Sequence, residues 1–515
     1  YIEAAYHILD RGERGIEGIA VSNGVDIVLS DDQGRWQLAA GERATLFVMP
    51  GKGWAAPLDR RHRPQFYYVH NERDSAATHY PGPVQTGELP ARIDFALVPS
   101  RVSEVFSIFV FGDPQPSNIE QLDALARDVI AQAAGERGPV LGLSLGDIVN
   151  DKLSLYGDLN SAFSLMGLPW FNVPGNHDLN FDVDTDPASD ETFESVYGPP
   201  TYAFQVGRVH FLILDDVIFF GREVMERNAR GEDWQRPYVG GLREDQLRFI
   251  ENWLAMVPRD DLVVMAMHIP LFQRRTRYYE NIESFRAADR ARLFALLKDH
   301  PHTLSLSAHT HFQTQHYFGA DEGWLQEQPH HHINLGTSCG DWFSGLPTFD
   351  GYPDATMRDG TPNGYATLHF EGNRYRWHYQ VAGAPASKQM SLHVPFEVER
   401  AALATTPLHA NVYVGNLHTR VRYRLSPDGP WLDMQPVYEP DPRNLAMHAW
   451  QATLRGLLRE GAELPFKPVS TPQPTDHLWK AMLPADLDTG YHLAEVHAVT
   501  DQGETFVDRV SFRVH

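Results

Sequence analysis

The sequence has little cysteine, a deficit of positive charge and no long apolar run. Its 515 residues include one cysteine, Cys339, so an internal disulfide is excluded, and cysteine usage does not indicate the compartment. No apolar stretch approaches the roughly 20 residues of a transmembrane helix, so we expect no membrane span. Lys and Arg number 44 against 67 Asp and Glu, a net charge of −23. A chain this acidic is poorly suited to binding a nucleic-acid polymer through a basic surface.

The remaining composition is that of an ordinary globular protein with more than one core. Hydrophobic residues make up 42% and charged residues 22% of the chain. This length predicts about two to four domains. Net acidity still permits a small phosphorylated substrate, because bound metal ions reverse the charge locally.

Three regions differ in their hydrophobic pattern. The first and last alternate apolar and polar residues between turn signals, which is typical of β-sandwiches. In the middle, buried-strand runs such as "VFSIFVFG", "VLGLSLG" and "LVVMAMH" alternate with helical patterns such as "LREDQLRFIENWLAMV". We predict an N-terminal β-sandwich domain over 1–100, an α/β domain over 101–384 and a C-terminal β-sandwich domain over 385–515.

Polar side chains follow five strands of the middle region. They are Asp113, Asp147, Asn176 with His177 and Asp178, His268, and His309 with His311. Taken singly, each aspartate is more simply a turn residue and each histidine a core residue. Because sites in open α/β sheets form at the carboxyl ends of strands, the joint pattern favours a single constellation.

The donor types in this constellation suit metal ions. Carboxylates, an amide oxygen and imidazoles are ligands for Zn, Mn, Fe or Ni. The number of donors favours two divalent or trivalent ions over one. Such a pair polarises a phosphoryl group and generates a nucleophile from water at neutral pH.

The same segments resemble a known superfamily. "GDPQ", "GDIVND", "GNHD", the strand ending at His268 and "AHTH" resemble the five signature blocks of calcineurin-like metallophosphoesterases. The resemblance implies a four-layer αββα sandwich with a dinuclear metal centre at one edge. The flanking regions resemble the N-terminal and C-terminal β-sandwich accessory domains of a bacterial subgroup of that superfamily.

The resemblance also implies roles for individual residues. It assigns Asp113, Gln115 and His311 to the first ion, Asp147 to a bridge, and Asn176, His268 and His309 to the second ion. It makes His177 the proton donor to the leaving group and Asp151 the residue that orients it. Gln115 departs from the family pattern, which has histidine there. Since its side chain offers a weaker, neutral oxygen donor, we expect a looser first site or a shifted metal preference.

Two functions are compatible with these residues. The first is a metal-dependent phosphatase or phosphodiesterase in which metal-bound hydroxide cleaves a small phosphomonoester or phosphodiester. The alternative is a catalytically degenerate phosphoesterase scaffold that acts as a binding or interaction protein. The intact block "GNHD" favours the enzyme. The accessory domains could place it near a glycan or a cell-envelope polymer.

Two loops are candidates for substrate contacts. The basic-aromatic segment "LFQRRTRYYEN" supplies Arg274, Arg275 and Tyr278, and "SCGDWFSG" supplies Asp341 and Trp342. The alternative for each is an ordinary solvated or structural loop.

A further segment, "PHHHIN", has the histidines of a metal site but not a suitable spacing. Consecutive histidines in a strand point to alternate faces, so we expect His330–His332 to be structural.

The first residue bears on localisation. The chain begins at Tyr1 rather than methionine, which fits a cleaved signal peptide or a trimmed sequence. We expect a periplasmic or secreted protein.

Overall fold

The computed structural model describes residues 13–72, 78–232, 234–274, 284–459 and 462–515. The chain divides into two compact units. The first unit comprises the residues up to Thr310, with His316–Ile333 and Leu368–Tyr375; the second comprises His311–Gln315, Asn334–Thr367 and Arg376–His515. The domain boundaries near residues 100 and 384 stay predictions.

The N-terminal part of the first unit is built of strands, as predicted. Its strands are β1 Ala20–Ser22, β2 Ile27–Leu29, β3 Arg43–Met49, β4 Trp54–Ala55, β5 Tyr67–Asn71 and β6 Val98–Pro99. They form an antiparallel sheet in the order β2-β1-β3-β5 and a two-stranded β4-β6 ribbon. The turn after β1 forms because Asn23 Oδ1 accepts hydrogen bonds from the N–H groups of Val25 and Asp26.

The middle of the chain alternates strands and helices. Its strands are β7 Val105–Phe111, β8 Pro139–Leu145, β9 Trp170–Val173, β10 Tyr202–Val206, β11 Val209–Ile213, β12 Val217–Phe219, β13 Tyr238–Gly240, β14 Leu262–Ala266, β15 Thr303–Ser307, β16 Thr314–Phe318, β17 His330–Asn334, β18 Gly364–Glu371 and β19 Arg374–Val381. Its helices are α1 Ile119–Leu125, α2 Ala131–Gly135, α3 Tyr156–Phe163, α4 Asp186–Ser189, α5 Glu191–Tyr197, α6 Arg222–Ala229, α7 Glu244–Leu254 and α8 Ala287–Leu296.

Two mixed sheets carry this region. One has five strands in the order β19-β18-β7-β8-β9, and the other has six in the order β10-β11-β14-β15-β17-β16. β7, β8 and β9 run parallel, as do β11, β14 and β15. The carboxyl ends of each parallel group therefore lie at one edge, where the sequence places its polar residues.

Aromatic contacts show how the layers pack. Between the sheets, the rings of Phe171 on β9 and Phe204 on β10 stack at 4.0 Å. On the outer side of the five-stranded sheet, Phe163 of α3 stacks on Trp170 at 4.3 Å. Phe294 of α8 packs on the six-stranded sheet, 5.1 Å from the ring of Phe318. Helices outside and two sheets inside make the expected four-layer αββα sandwich.

The helix after β7 begins at an asparagine cap. Asn118 Oδ1 accepts a hydrogen bond of 2.9 Å from the N–H of Gln121, which satisfies one free donor of the first turn. A π-helical turn over Ala126–Ile130 joins α1 to α2, so residues 119–135 are helical throughout. Short 3₁₀ turns occur at Leu153–Leu155, Ser164–Met166, Leu297–Asp299, Ala320–Glu322 and Arg400–Thr405.

The end of the chain forms a β-sandwich in the second unit. Its strands are β20 Met390–His393, β21 Glu397–Val398, β22 Pro407–Val412, β23 Arg420–Arg424, β24 Leu432–Asp433, β25 Gln435–Pro440, β26 Pro474–Met482, β27 Gly490–Val499 and β28 Thr505–Val514. They form sheets in the orders β20-β22-β26-β25 and β21-β28-β27-β23-β24. A common core between them includes Leu408, Val412, Trp479, Val496 and Phe512.

One helix lies between strands of this β-sandwich region, and the alternating pattern did not predict it. Helix α9 spans Pro442–Leu457. Asp441 caps it by accepting hydrogen bonds from the N–H groups of Arg443 and Asn444, and proline occupies the first helical position. The Asp-Pro pair is a helix-start signal that could have identified it. In the described ranges, no helix is long and apolar enough to cross a membrane.

Candidate metal centre

Three of the predicted ligands converge in the first unit. Asp147, His268 and His309 follow β8, β14 and β15, and one potential ligand atom from each lies within 4.8 Å of the others. His268 Nε2 is 3.3 Å from Asp147 Oδ1 and 3.1 Å from His309 Nδ1. These donors come from both sheets, so the centre forms where the carboxyl ends of the two sheets approach each other.

Asn176 and Asp113 complete the ring of donors. Asn176 Oδ1 lies 3.1 Å from His268 Nε2. Asp113 Oδ1 accepts a hydrogen bond of 3.1 Å from the His309 N–H and lies 4.0 Å from His268 Nδ1. Asp113, Asp147, Asn176 and His268 are all buried to 2% exposure or less. Buried carboxylates, an amide oxygen and imidazoles in mutual contact form a donor set that fits divalent metal ions.

Gln115 faces Asp147, the carboxylate to which the family resemblance assigns the bridging role. Its side-chain Nε2 donates a hydrogen bond of 3.1 Å to Asp147 Oδ2, and its backbone N–H donates to the Asp147 carbonyl at 3.0 Å. The glutamine therefore holds Asp147 through both its backbone and its amide. Direct ligation of a metal ion by Gln115 stays a prediction.

The orientation of His268 is set by hydrogen bonds on its far side. A carbonyl can only accept, so His268 Nδ1 must donate to the Leu145 oxygen at 2.8 Å. The backbone N–H of His268 donates to Asp216 Oδ1 at 2.9 Å. Both contacts leave Nε2 turned toward the other donors. An outer hydrogen bond on the second ring nitrogen is the usual support of a metal-binding imidazole.

Two glycines allow the strand ends to approach this closely. A Cβ on Gly175 would lie 2.0 Å from the Asp147 backbone nitrogen, and a Cβ on Gly146 would lie 2.5 Å from His268 Nδ1. Gly146 also has φ +85°, which side-chain-bearing residues rarely adopt. Packing therefore requires glycine before both Asp147 and Asn176, and the backbone conformation also requires it before Asp147.

Asp178 connects two of the loops rather than facing the centre. Its oxygens accept hydrogen bonds from the backbone N–H groups of Ile148, Val149 and Gly175 and from the hydroxyl of Tyr156. Burial, together with the charge of Asp147, raises the pKa of Asp178 to about 7. This carboxyl ties the Asp147 loop to the Asn176 loop.

His177 and Asp151 form a pair beside the donors. His177 Nδ1 lies 2.6 Å from Asp151 Oδ1, and the His177 backbone N–H donates to Asp147 Oδ1 at 2.8 Å. His177 Nε2 stays 4.0 Å from Asp147 Oδ2, and the side chain is 31% exposed. Asp151 thus orients the ring as expected, with Nε2 available on the open side.

Burial and neighbouring charges shift the pKa values of the candidate ligands. Burial opposes a charge on His268, but Asp147 and Asp113 outweigh it and raise its pKa to about 10. Burial lowers the pKa of His309 well below the usual range, and the neighbouring charges of His268 and Arg236 act in the same direction. Burial opposes ionisation of Asp147, yet His268 and His177 lower its pKa below the usual range.

Strained backbone concentrates at the same residues. In the described part of the chain, ten non-glycine residues have φ in the left-handed region. Seven of them are sequence-predicted site residues: Asp113, Gln115, Asp147, Asp151, His309, His311 and Trp342. Such conformations cost about 1–3 kcal/mol each and tend to cluster at functional sites.

The remaining predicted residues belong to the second unit, are exposed, or fall outside the described residues. His311 belongs to the second unit, where its Nδ1 donates to the Gly340 carbonyl and its ring stacks on Trp342 at 4.0 Å. Asp341, in the same unit, accepts hydrogen bonds from Ser344 and from the Ser470 N–H. Arg274 is exposed. Arg275 and Tyr278 fall outside the described residues.

The histidine run on β17 has the structural role expected of it. His330 contacts the hydroxyls of Thr303 and Ser305 at 2.8 and 2.7 Å. His332 contacts the hydroxyls of Ser305 and Ser307 at 2.7 and 3.1 Å. We call these five residues the histidine ladder. His331 points to the other face and contacts the Tyr375 hydroxyl at 2.8 Å.

Sequence reasoning missed Arg236. Its Nη2 lies 3.2 Å from His309 Nε2, and its guanidinium lies over the ring of Tyr238, 4.8 Å from the centroid. Arg236 occupies the segment before β13, where no strand-end or spacing pattern marks it. Only the fold brings this cation to the centre.

Sequence comparison with protein families gives two matches. Residues 106–313 match the model of the calcineurin-like phosphoesterase domain. Residues 332–506 match the model described as the C terminal of calcineurin-like phosphoesterase. A search of curated protein sequences gives no match.

Similar solved structures include two phosphatases. A purple acid phosphatase from yellow lupin (Lupinus luteus) seeds is 14% identical, with 68% of this chain and 71% of that chain covered at a TM-score of 0.39. A cold-active protein-tyrosine phosphatase of a psychrophilic Shewanella species is 12% identical, with 71% and 97% covered at a TM-score of 0.21.

Proposed function

Because this chain belongs to the calcineurin-like phosphoesterases, we propose that it is a metal-dependent hydrolase that cleaves small phosphomonoesters or phosphodiesters at a dinuclear centre. The observation that carries the proposal is the convergence of Asp147, His268 and His309 within 4.8 Å. Their oxygen and nitrogen donors suit Mn, Zn, Fe or Ni.

The geometry around Asp147 indicates how the candidate ligands would be divided between two ions. One would be held by Asn176, His268 and His309, whose donor atoms face one another at 3.1 Å. The other would lie toward Asp113 and Gln115, with Asp147 between the two. The predicted contribution of His311 rests on the sequence. Bound ions would supply Lewis acidity toward the phosphoryl group and a nucleophile derived from water.

His177 is suited to donate a proton to the leaving group. Burial opposes its charge, but Asp147 and the hydrogen bond to Asp151 outweigh burial and raise its pKa to about 9. The two carboxylates therefore favour the protonated form of the ring at neutral pH. Since Asp151 holds Nδ1, Nε2 is the nitrogen that can deliver a proton to an ester oxygen.

A leaving-group series tests the proposal. The parent, loaded with Mn or Zn, is assayed on p-nitrophenyl phosphate, bis-p-nitrophenyl phosphate and an alkyl phosphomonoester, beside His177→Ala and Asp151→Asn. An alkoxide needs protonation more than p-nitrophenolate does, so we expect His177→Ala to lose about 100-fold or more on the alkyl ester and clearly less on the aryl ester.

Two results would contradict this function. Equal losses on both esters would remove His177 as the proton donor. A fully metal-loaded parent that hydrolyses none of the esters would favour the binding scaffold over the enzyme. Metal content measured by mass spectrometry separates that outcome from simple failure to load metal.

A further inference from the structure

Arg236 is a cation with no matching anion among the described residues of the first unit. Its Nη1 is buried and meets no hydrogen-bond partner there. No carboxylate of the described residues pairs with its guanidinium. A partly buried guanidinium without an acceptor for all its donors is energetically unfavourable, and this favours binding of an anion.

The surroundings of Arg236 hold it in place. The guanidinium lies over the Tyr238 ring at 4.8 Å, a cation–π arrangement that restrains its plane. Tyr238 pairs with Phe219 in the β12–β13 ribbon, and the Phe220 N–H donates to the Pro237 carbonyl at 2.8 Å. Arg236 therefore lies just before a paired strand, whose hydrogen bonds to β12 fix the backbone next to it.

Among the described residues, the polar partner of the guanidinium is a candidate metal ligand. Arg236 Nη2 lies 3.2 Å from His309 Nε2, and as an obligate donor it needs the lone pair of that nitrogen. The opposite nitrogen, Nδ1, faces His268 Nε2 at 3.1 Å. If Nδ1 ligates an ion, it carries no proton, so Nε2 must carry it and becomes a donor. Arg236 then loses its acceptor, because two donors cannot hydrogen-bond to each other.

We propose that Arg236 binds the phosphoryl group of the substrate: its guanidinium, placed by Tyr238 beside His309, takes non-bridging oxygens of a phosphoester at the metal centre. This inference rests on the proposed hydrolase function and specifies its substrate contact. The planar fork of arginine matches phosphoryl oxygens in a way that lysine does not. The group is a binding residue for the charge that the ester carries, and it does not itself transfer a proton.

The experiment measures phosphate binding as well as turnover. Arg236→Met, Arg236→Lys and the control Arg230→Met are prepared as full chains and loaded with Mn. Arg230 is an exposed arginine of the same segment that is paired with Glu232. Binding of inorganic phosphate is measured by calorimetry, metal content by mass spectrometry, and KM and kcat with p-nitrophenyl phosphate.

We expect Arg236→Met to weaken phosphate binding at least about tenfold, with metal content unchanged and KM raised. Arg236→Lys should lie between parent and methionine variant, and Arg230→Met should match the parent. A further full-chain variant, Arg236→Ala, leaves space at this position, and free guanidinium ion at millimolar concentration should restore part of its phosphate binding.

Two outcomes overturn the inference. One is unchanged phosphate affinity and KM in Arg236→Met. The other is loss of metal in parallel with phosphate, which would make Arg236 a support of His309. Neither outcome resembles failure of the proposed function, in which the metal-loaded parent itself would neither hydrolyse the ester nor bind phosphate.

Discussion

Two buried groups of histidines in the first unit have opposite surroundings. In the histidine ladder, the ring nitrogens of His330 and His332 meet the hydroxyls of Thr303, Ser305 and Ser307. At the metal centre, His268 and His309 face each other with 3.1 Å between nitrogens, and Asp147 lies beside them. Burial and the number of imidazoles therefore do not by themselves make a metal site. A metal site needs lone pairs that converge on one point, whereas hydroxyls, which can donate and accept, form hydrogen bonds with each ring of the ladder separately.

Removing one histidine from each group tests this difference most directly. We expect His268→Ala to lose bound metal and more than about 100-fold in kcat/KM, beyond what an outer partner of a ligand contributes. His330→Gln should keep metal content and rate, because it lies among hydroxyls. Mass spectrometry of bound metal and p-nitrophenyl phosphate turnover provide the readouts. Metal loss in His330→Gln would contradict the claim that only the group with His268 binds metal.

A backbone change tests whether the centre depends on the close approach of loops. A Cβ on Gly175 would meet the Asp147 backbone at 2.0 Å, so we expect Gly175→Ala to cost about 1–3 kcal/mol in stability and to weaken metal binding. Gly157 in α3 is the matched control, since a Cβ there meets nothing within 4 Å. Gly157→Ala should stabilise the chain by about 0.5–1 kcal/mol. Equal behaviour of the two variants in denaturant and metal titrations would contradict the packing argument.

The histidine ladder should make the protein sensitive to acid. Burial lowers the pKa of His330 to about 3, and burial also lowers that of His332 well below the usual range. A histidine in the unfolded chain has pKa near 6.5, so between that value and the folded pKa only the unfolded state binds the proton. Stability is therefore fully present above about pH 7 and is lost as the pH falls. From pH 7 to 5 the loss is about 2 kcal/mol per histidine.

The measurement is the denaturation midpoint at pH 7 and 5, for the parent and for His330→Gln combined with His332→Gln. Glutamine keeps hydrogen-bonding capacity and does not titrate. The doubly substituted chain should lose less stability on acidification than the parent. An identical pH dependence would mean that the ladder is not buried in its neutral form.

Gln115 offers the smallest expected effect. Its amide holds Asp147 at 3.1 Å, so Gln115→Ala should weaken metal binding modestly, by about tenfold at most. Gln115→His would introduce an imidazole and should shift metal preference toward Zn or Ni. Metal competition followed by mass spectrometry, with rate as a second readout, provides the check. If Gln115→His leaves metal identity, occupancy and rate unchanged, the glutamine has no bearing on the centre.

Much of the fold could be read from local pattern. The amphipathic α7 and the apolar strands before Asp147 and His268 are short-range features, and the structure places them as expected. Helix α9 was not predicted because the strand patterns on either side of it indicated a β-sandwich, even though Asp441 and Pro442 signal its start. Arg236 gave no signal, because its importance depends on a contact with His309, 73 residues away.

The sequence by itself determined which chemistry is available. Polar residues at the ends of apolar strands indicate a metal centre because strand direction carries those residues to one edge. The resemblance of these segments to signature blocks implies that the centre is that of a metallophosphoesterase. Only the tertiary structure decided which partner each ring nitrogen meets. His330 lies against hydroxyls, His268 against other donors, and Arg236 against His309. These pairings depend on contacts between distant segments, whose distances and orientations the local pattern of residues does not specify.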